Sequence, residues 1–184
     1  MSHLALIDAC VLVPQRLSSL LLTLAEHGLY EPRWSEAILE ETERTLVHKL
    51  HLSPDLARRR LDAMRTAFPE AAVFGFEELI PGLQCDSKDR HVLAAAIGGG
   101  VDTLVTNNVK HFPAAACEPH DLQVRDADAF LMRLLVSDGP LCRRAIEHEA
   151  RRARRPPLSV RQLLAGLAKV APTFTRTAFN IWDD

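Results

Sequence analysis

The chain has 184 residues, 47% of them hydrophobic and 25% charged, with a formal net charge of −2. That length is room for one ordinary domain with a small appendage, and the composition excludes a disordered chain, a coiled-coil rod and a collagen-like fibre. A uniformly basic nucleic-acid binder is excluded too, although the charge is uneven: residues 137–184 carry nine Lys/Arg against five Asp/Glu, and residues 1–136 carry 13 against 19.

Leu4–Ala5–Leu6–Ile7 is a wholly apolar run ending at Asp8, the pattern of a strand buried on both faces. Leu17, Leu20, Leu21 and Leu24 then form a helical stripe ending near Gly28. Ser35 is a good N-cap for a helix whose apolar face is Ile38, Leu39, Thr42, Leu46 and Leu50. Ser53–Pro54 opens another, stopped by Pro69. Residues 72–74 read as a short strand. Asp86 or Ser87 is expected to cap a helix through Val92, Leu93, Ala96 and Ile97, which Gly98–Gly99–Gly100 ends. Val101 to Thr106 reads as a buried strand and Leu122–Gln123–Val124 as another, before a helix starting at Asp126. Alternating strands and helices predict an α/β fold with a parallel sheet.

Residues 1–136 are taken as the core domain and residues 137–184 as a basic helical extension, broken at Pro156–Pro157 and capped again by Ser159. No CxxC pair occurs among Cys10, Cys85, Cys117 and Cys142, which are expected to be buried free thiols. No secretory signal or membrane span is visible, so the expectation is a soluble, cytoplasmic protein with no membrane partner.

Ligands of open parallel sheets sit beyond the carboxyl ends of the strands, where Asp8 falls. It is either a site residue or a local cap. Asp89 lies on the apolar side of its helix, where a carboxylate is costly unless paired, protonated or metal-bound; the alternative is a charge at the positive helix end. On the helix after Ser35, Glu41 and Glu43 fall on the two flanks of the apolar stripe and Glu40 on the solvent side, which leaves Glu41 and Glu43 open. Such hard oxygen donors suit Mg²⁺ or Mn²⁺.

The run Leu6–Ile7–Asp8–Ala9–Cys10–Val11–Leu12 resembles the opening of PIN-domain ribonucleases. Ser35–Glu36–Ala37–Ile38–Leu39–Glu40–Glu41 is similar to that family's Ser-x-x-Ile-Leu-x-Glu helix, a register that selects Glu41. Asp86 to Ala96 resembles the segment in which an aspartate, here Asp89, precedes an Ala-rich run. Leu104–Val105–Thr106–Asn107–Asn108 resembles the Leu-Val-Thr strand end, with Asn108 where many members have aspartate. The resemblance implies a doubly wound parallel sheet flanked by helices and a divalent-metal-dependent endoribonuclease. It further implies Asp8, Glu41, Asp89 and Asn108 as catalytic metal ligands, supported by Thr106 and Asp86. For the VapC-like toxin branch it implies a cognate antitoxin and a homodimer. Asn108 keeps an oxygen acceptor but no charge.

The phosphate contacts an acidic site needs are expected from Lys110 and His111 beside it, and from Arg144, Arg151 and Arg155 in the extension; the last three otherwise belong to a solvated face with local pairs to Glu147 and Glu149. A dehalogenase-like phosphatase is disfavoured because Cys10 stands where its second aspartate is needed, and a serine hydrolase because no GxSxG elbow occurs. The alternative from another class is a catalytically weakened PIN-fold module that binds RNA or a protein partner.

Overall fold

The computed structural model describes residues 3–152 and 157–182. Four short strands form one parallel sheet: β1 (Leu4–Ile7), β2 (Glu31–Arg33), β3 (Thr103–Val105) and β4 (Gln123–Arg125), in the order β2-β1-β3-β4. Leu6 pairs with Arg33 on one side and with Leu104 on the other. The chain steps from β1 outward to β2 and later returns to the opposite side of β1 at β3. The switch point of this doubly wound sheet is therefore the gap between β1 and β3, where open α/β sheets place their ligands.

The helices follow their caps. Asp8 caps α1 (Ala9–Leu12), and α2 (Gln15–Glu26) ends at Gly28, whose φ of +79° suits glycine at a helix C-terminus. Ser35 caps α3 (Glu36–His48) by accepting from the Ile38 N–H, and Ser53 caps α4 (Pro54–Ala67) in the same way. α5 (Arg90–Gly98) is followed by the very short α6 (Ala114–Cys117) and by α7 (Ala127–Ser137), capped by Asp126. Residues 72–74 do not form a strand: Ala72 contributes only an isolated bridge to Trp34. β2, whose sequence is Glu-Pro-Arg, is a strand that composition hides. It lies at the sheet edge, where proline's missing N–H is tolerated.

Beyond α7 come α8 (Gly139–Arg152), α9 (Val160–Ala165), with the Ser159–Gln162 capping box, and α10 (Pro172–Trp182). They share one hydrophobic core with the sheet: Leu6, Leu104 and Phe130 belong to the same cluster as Ile146, Leu164 and Phe174. α8 packs on α2 through a buried carboxylate. Glu149 accepts hydrogen bonds from Ser19 Oγ at 2.6 Å and Thr23 Oγ1 at 2.9 Å. Asp128, in the first turn of α7, accepts from the Thr173 and Phe174 N–H groups and so ties down the start of α10. The cysteines are all free, but only Cys117 and Cys142 are buried; Cys10 and Cys85 are partly accessible. Among the described residues no helix is long and apolar enough to cross a membrane.

Candidate functional site

Asp8 leaves β1 at the switch point. It is 4% exposed and fully engaged. Its Oδ1 accepts from the Ala9 N–H at 2.6 Å, and its Oδ2 accepts from Thr106 Oγ1 at 2.6 Å and the Cys10 thiol at 3.1 Å. Asp8 is thus the N-cap of α1, one of the two roles that its position alone left open, and its carboxylate is also held by Thr106 and Cys10 at the strand end. Burial, and then the neighbouring Asp8 charge, push the Cys10 thiol up to about 12, so it stays protonated and donates.

Thr106 is the hinge of the arrangement. Wholly buried just past β3, it receives the Asn108 N–H on its hydroxyl at 3.1 Å while donating to Asp8. Asn108 in turn accepts from the His111 N–H at 2.8 Å through its carbonyl. His111 Nδ1 lies 2.8 Å from Asp89 Oδ2, with the carboxylate as acceptor. One continuous hydrogen-bonded path therefore joins Asp8, Thr106, Asn108, His111 and Asp89, across segments that lie far apart in sequence.

Asp89 corrects the expected start of α5. The helix begins at Arg90, with Asp89 rather than Asp86 or Ser87 at the N-cap position. Its side chain makes no capping bond and is turned to His111 instead. Asp86 closes the preceding turn by accepting from the Lys88 N–H at 3.0 Å. Its own N–H makes a long bond, 3.5 Å, to the His111 carbonyl. Among the described residues, Asp86, Asp89 and His111 offer ligand atoms that all lie within 4.8 Å of one another.

Glu41, of the flank glutamates left open, reaches α5: its Oε2 is 3.7 Å from His91 Nε2. Glu40 is exposed. His91 Nδ1 is buried and has no hydrogen-bond partner among the described residues. His91 has no distinguishing signal in the sequence, because a histidine in the first turn of a helix is usually just polar surface. Glu41 is not part of the Asp86–Asp89–His111 group, and neither is Asp8.

Lys110 is exposed beside this edge. On α8, Arg143 pairs with Glu147 at 3.0 Å and Arg152 with Glu26 of α2 at 3.0 Å. Glu149 does not pair along its own helix, as a solvated face would require; it is buried against α2. Arg144 and Arg151 are exposed and form no ion pair among the described residues, and Arg155 lies outside the described residues.

Residues 5–110 match the PIN domain, and residues 127–178 match the VapC50 C-terminal domain. A Mycobacterium tuberculosis protein named "Putative ribonuclease VapC50" is 32% identical over 121 residues, which cover 66% of this chain and 69% of that relative. No solved structure matches the chain.

Proposed function

The chain belongs to the PIN-domain family, and from that premise we propose that it is a divalent-metal-dependent endoribonuclease, the toxin of a toxin–antitoxin pair, acting on RNA in the cytoplasm. The observation that carries the reading is the hydrogen-bonded path from Asp8 through Thr106 and Asn108 to His111 and Asp89 at the sheet's switch point. It gathers acidic groups from separate segments at the place where this architecture holds ligands. A cognate antitoxin and self-association are further parts of the proposal, supported by the VapC-type relative.

By chemical type the proposed donors, the carboxylates of Asp8, Glu41 and Asp89 and the Asn108 amide oxygen, are hard oxygen ligands of the kind that suits a divalent ion, and imidazoles stand beside two of the acids, His91 by Glu41 and His111 by Asp89. The ion, Mg²⁺ or Mn²⁺, supplies charge neutralisation for the phosphodiester and a more acidic water. The protein's own part is positioning. Thr106 and the Ala9 N–H hold the Asp8 carboxylate in one orientation, as supporting hydrogen bonds do for ligating carboxylates. His111 does the same for Asp89. Lys110, Arg144 and Arg151 are exposed cations able to hold a phosphate backbone against an acidic centre.

The test is cleavage of a mixed RNA pool by purified, antitoxin-free protein in Mg²⁺, Mn²⁺ or EDTA, beside Asp8→Asn and Asp89→Asn. Cleavage that requires metal and disappears in both folded variants is the expected result. The uncharged Asn108 favours one other reading, a binding module. RNA retention without cleavage, unchanged by Asp8→Asn, would establish it instead.

A further inference from the structure

We propose that the cleft between α8, α9 and α10 binds a guanine base. On the nuclease reading that base belongs to the RNA strand, and the cleft supplies a base selectivity that the acidic strand-end group lacks.

The cleft has a volume of about 290 Å³, close to the lower end, about 300 Å³, of small-ligand sites. Three helices build its walls: Arg143 and Glu147 from α8, Arg161 and Leu164 from α9, Phe179 and Trp182 from α10. None of these six belongs to the path from Asp8 to Asp89.

Two of the walls are flat. Aromatic residues make up 5% of the chain, and the core takes most of them; Tyr30, Trp34, Phe130 and Phe174 are all fully buried. Phe179 and Trp182 instead stand half-buried, one turn apart on α10, and line the same cleft. The Arg161 guanidinium lies over the Phe179 ring, 5.4 Å from its centroid. Aromatic rings and guanidinium planes are the surfaces on which unpaired RNA bases stack.

The third wall is polar, and its pattern selects the base. Arg143 Nε donates to Glu147 Oε1 at 3.0 Å, across one turn of α8. That bond uses one N–H of a five-donor guanidinium and one of two carboxylate oxygens. What remains is a donor beside an acceptor, both partly exposed. Guanine offers the complementary row, its O6 acceptor followed by the N1–H and N2–H₂ donors. Adenine has a donor in place of O6. Uracil sets its O2 acceptor where guanine has N2–H₂, against the carboxylate. Arginine donating to guanine O6 is the commonest base-specific contact in DNA recognition.

The walls are also fixed in advance. The Ser159–Gln162 capping box holds the start of α9, and the Asp128 carboxylate holds the start of α10. Leu164 and Ala178, which complete the cleft, are buried in the core shared with the sheet.

Trp182 is the probe. The other tryptophan, Trp34, is 1% exposed, so quenching of the emission by an added nucleotide reports on Trp182. The full chain, in EDTA to keep strands uncut, would be titrated with GMP, AMP, CMP and UMP, and with single-stranded RNA hexamers with and without guanine. We expect GMP to quench saturably and to bind at least about ten-fold more tightly than the other three. Glu147→Gln should cut the preference for GMP over AMP about ten-fold. Trp182→Leu should weaken GMP about ten-fold, read by calorimetry because the fluorophore is gone.

Equal affinity for the four nucleotides, or no saturable quenching by GMP, overturns the proposal, and neither result needs a variant to fold. An unchanged preference in folded Glu147→Gln overturns it too. A guanine hexamer bound at least as tightly as GMP assigns the base to a strand. GMP bound with both hexamers excluded assigns it to a free nucleotide, and either outcome keeps the cleft a guanine site. Metal-dependent RNA cleavage without GMP binding sinks this inference and leaves the nuclease standing. GMP binding with no cleavage in any metal does the reverse.

Discussion

Two carboxylates lie equally deep in this molecule, Asp8 at the carboxyl edge of the sheet and Glu149 in the seam between α2 and α8, each 4% exposed. Both are satisfied by hydroxyls: Thr106 for Asp8, Ser19 and Thr23 for Glu149. The difference is in what surrounds them. Asp8 is one end of a path that leads to further acids and an imidazole, reaching side chains open to solvent. Glu149 sits between two helices, where both its oxygens are taken by the neighbouring helix. Burial of a charge therefore does not identify a site. A buried charge connected to accessible polar groups suggests chemistry, and one enclosed by a packing seam suggests specificity of docking.

Substitutions should separate the two regions. The largest effect is expected from Asp8→Asn, which should lower RNA cleavage by more than about a hundred-fold in a metal-dependent assay, whereas Glu149→Gln should leave cleavage per folded molecule unchanged. Removing the partners of Glu149 in the double variant Ser19→Ala with Thr23→Val strands a buried carboxylate. Denaturant unfolding should show a loss of about 3–5 kcal/mol. Equal damage to cleavage and stability from either change would erase the distinction.

Thr106→Val sharpens it further. The shape is kept and the hydroxyl is lost, so cleavage should fall about ten-fold, as for other groups that orient a ligand. Stability should fall by only about 1 kcal/mol. The opposite, amino edge of the sheet gives the smallest effect. Burial, reinforced by Arg133, holds His3 below its ordinary value of 6.5, against the pull of Asp102. The unfolded chain takes up this proton first, so His3 contributes stability above pH 6.5 that is lost as pH falls through its folded value. His3→Gln should flatten the acid side of the stability–pH curve and leave cleavage at neutral pH unaltered.

Much of this architecture is written locally. Ser35, Ser53, Asp126 and Ser159 all cap the helices that their positions announce, because a cap needs only its own residue and the next few N–H groups. β1 is equally plain as an uninterrupted apolar run. β2 is not, because a three-residue edge strand containing Pro32 is specified by its partner β1 and not by its own composition. The start of α5 is hidden for a related reason: Asp86 and Ser87 fit the capping rule, but the helix begins after Asp89, whose carboxylate is taken up by a tertiary contact with His111. The family resemblance selects Glu41, whereas its approach to His91 depends on how α3 meets α5, which no local pattern encodes. Glu149 had a readable signal. It falls two turns after Cys142 and one turn after Ala145 and Ile146, on the face of α8 that is otherwise buried.

The hydroxyl that steadies Asp8 comes from a residue 98 positions later, and Thr106 itself donates its N–H to the Arg125 carbonyl at the end of β4. Translation at about 5–20 residues per second separates the first of these groups from its partner by about five to twenty seconds. Throughout that interval the growing chain holds an aspartate without its cradle and a first strand without its third. The cluster around Asp8 can therefore close only after more than half of the chain has been made.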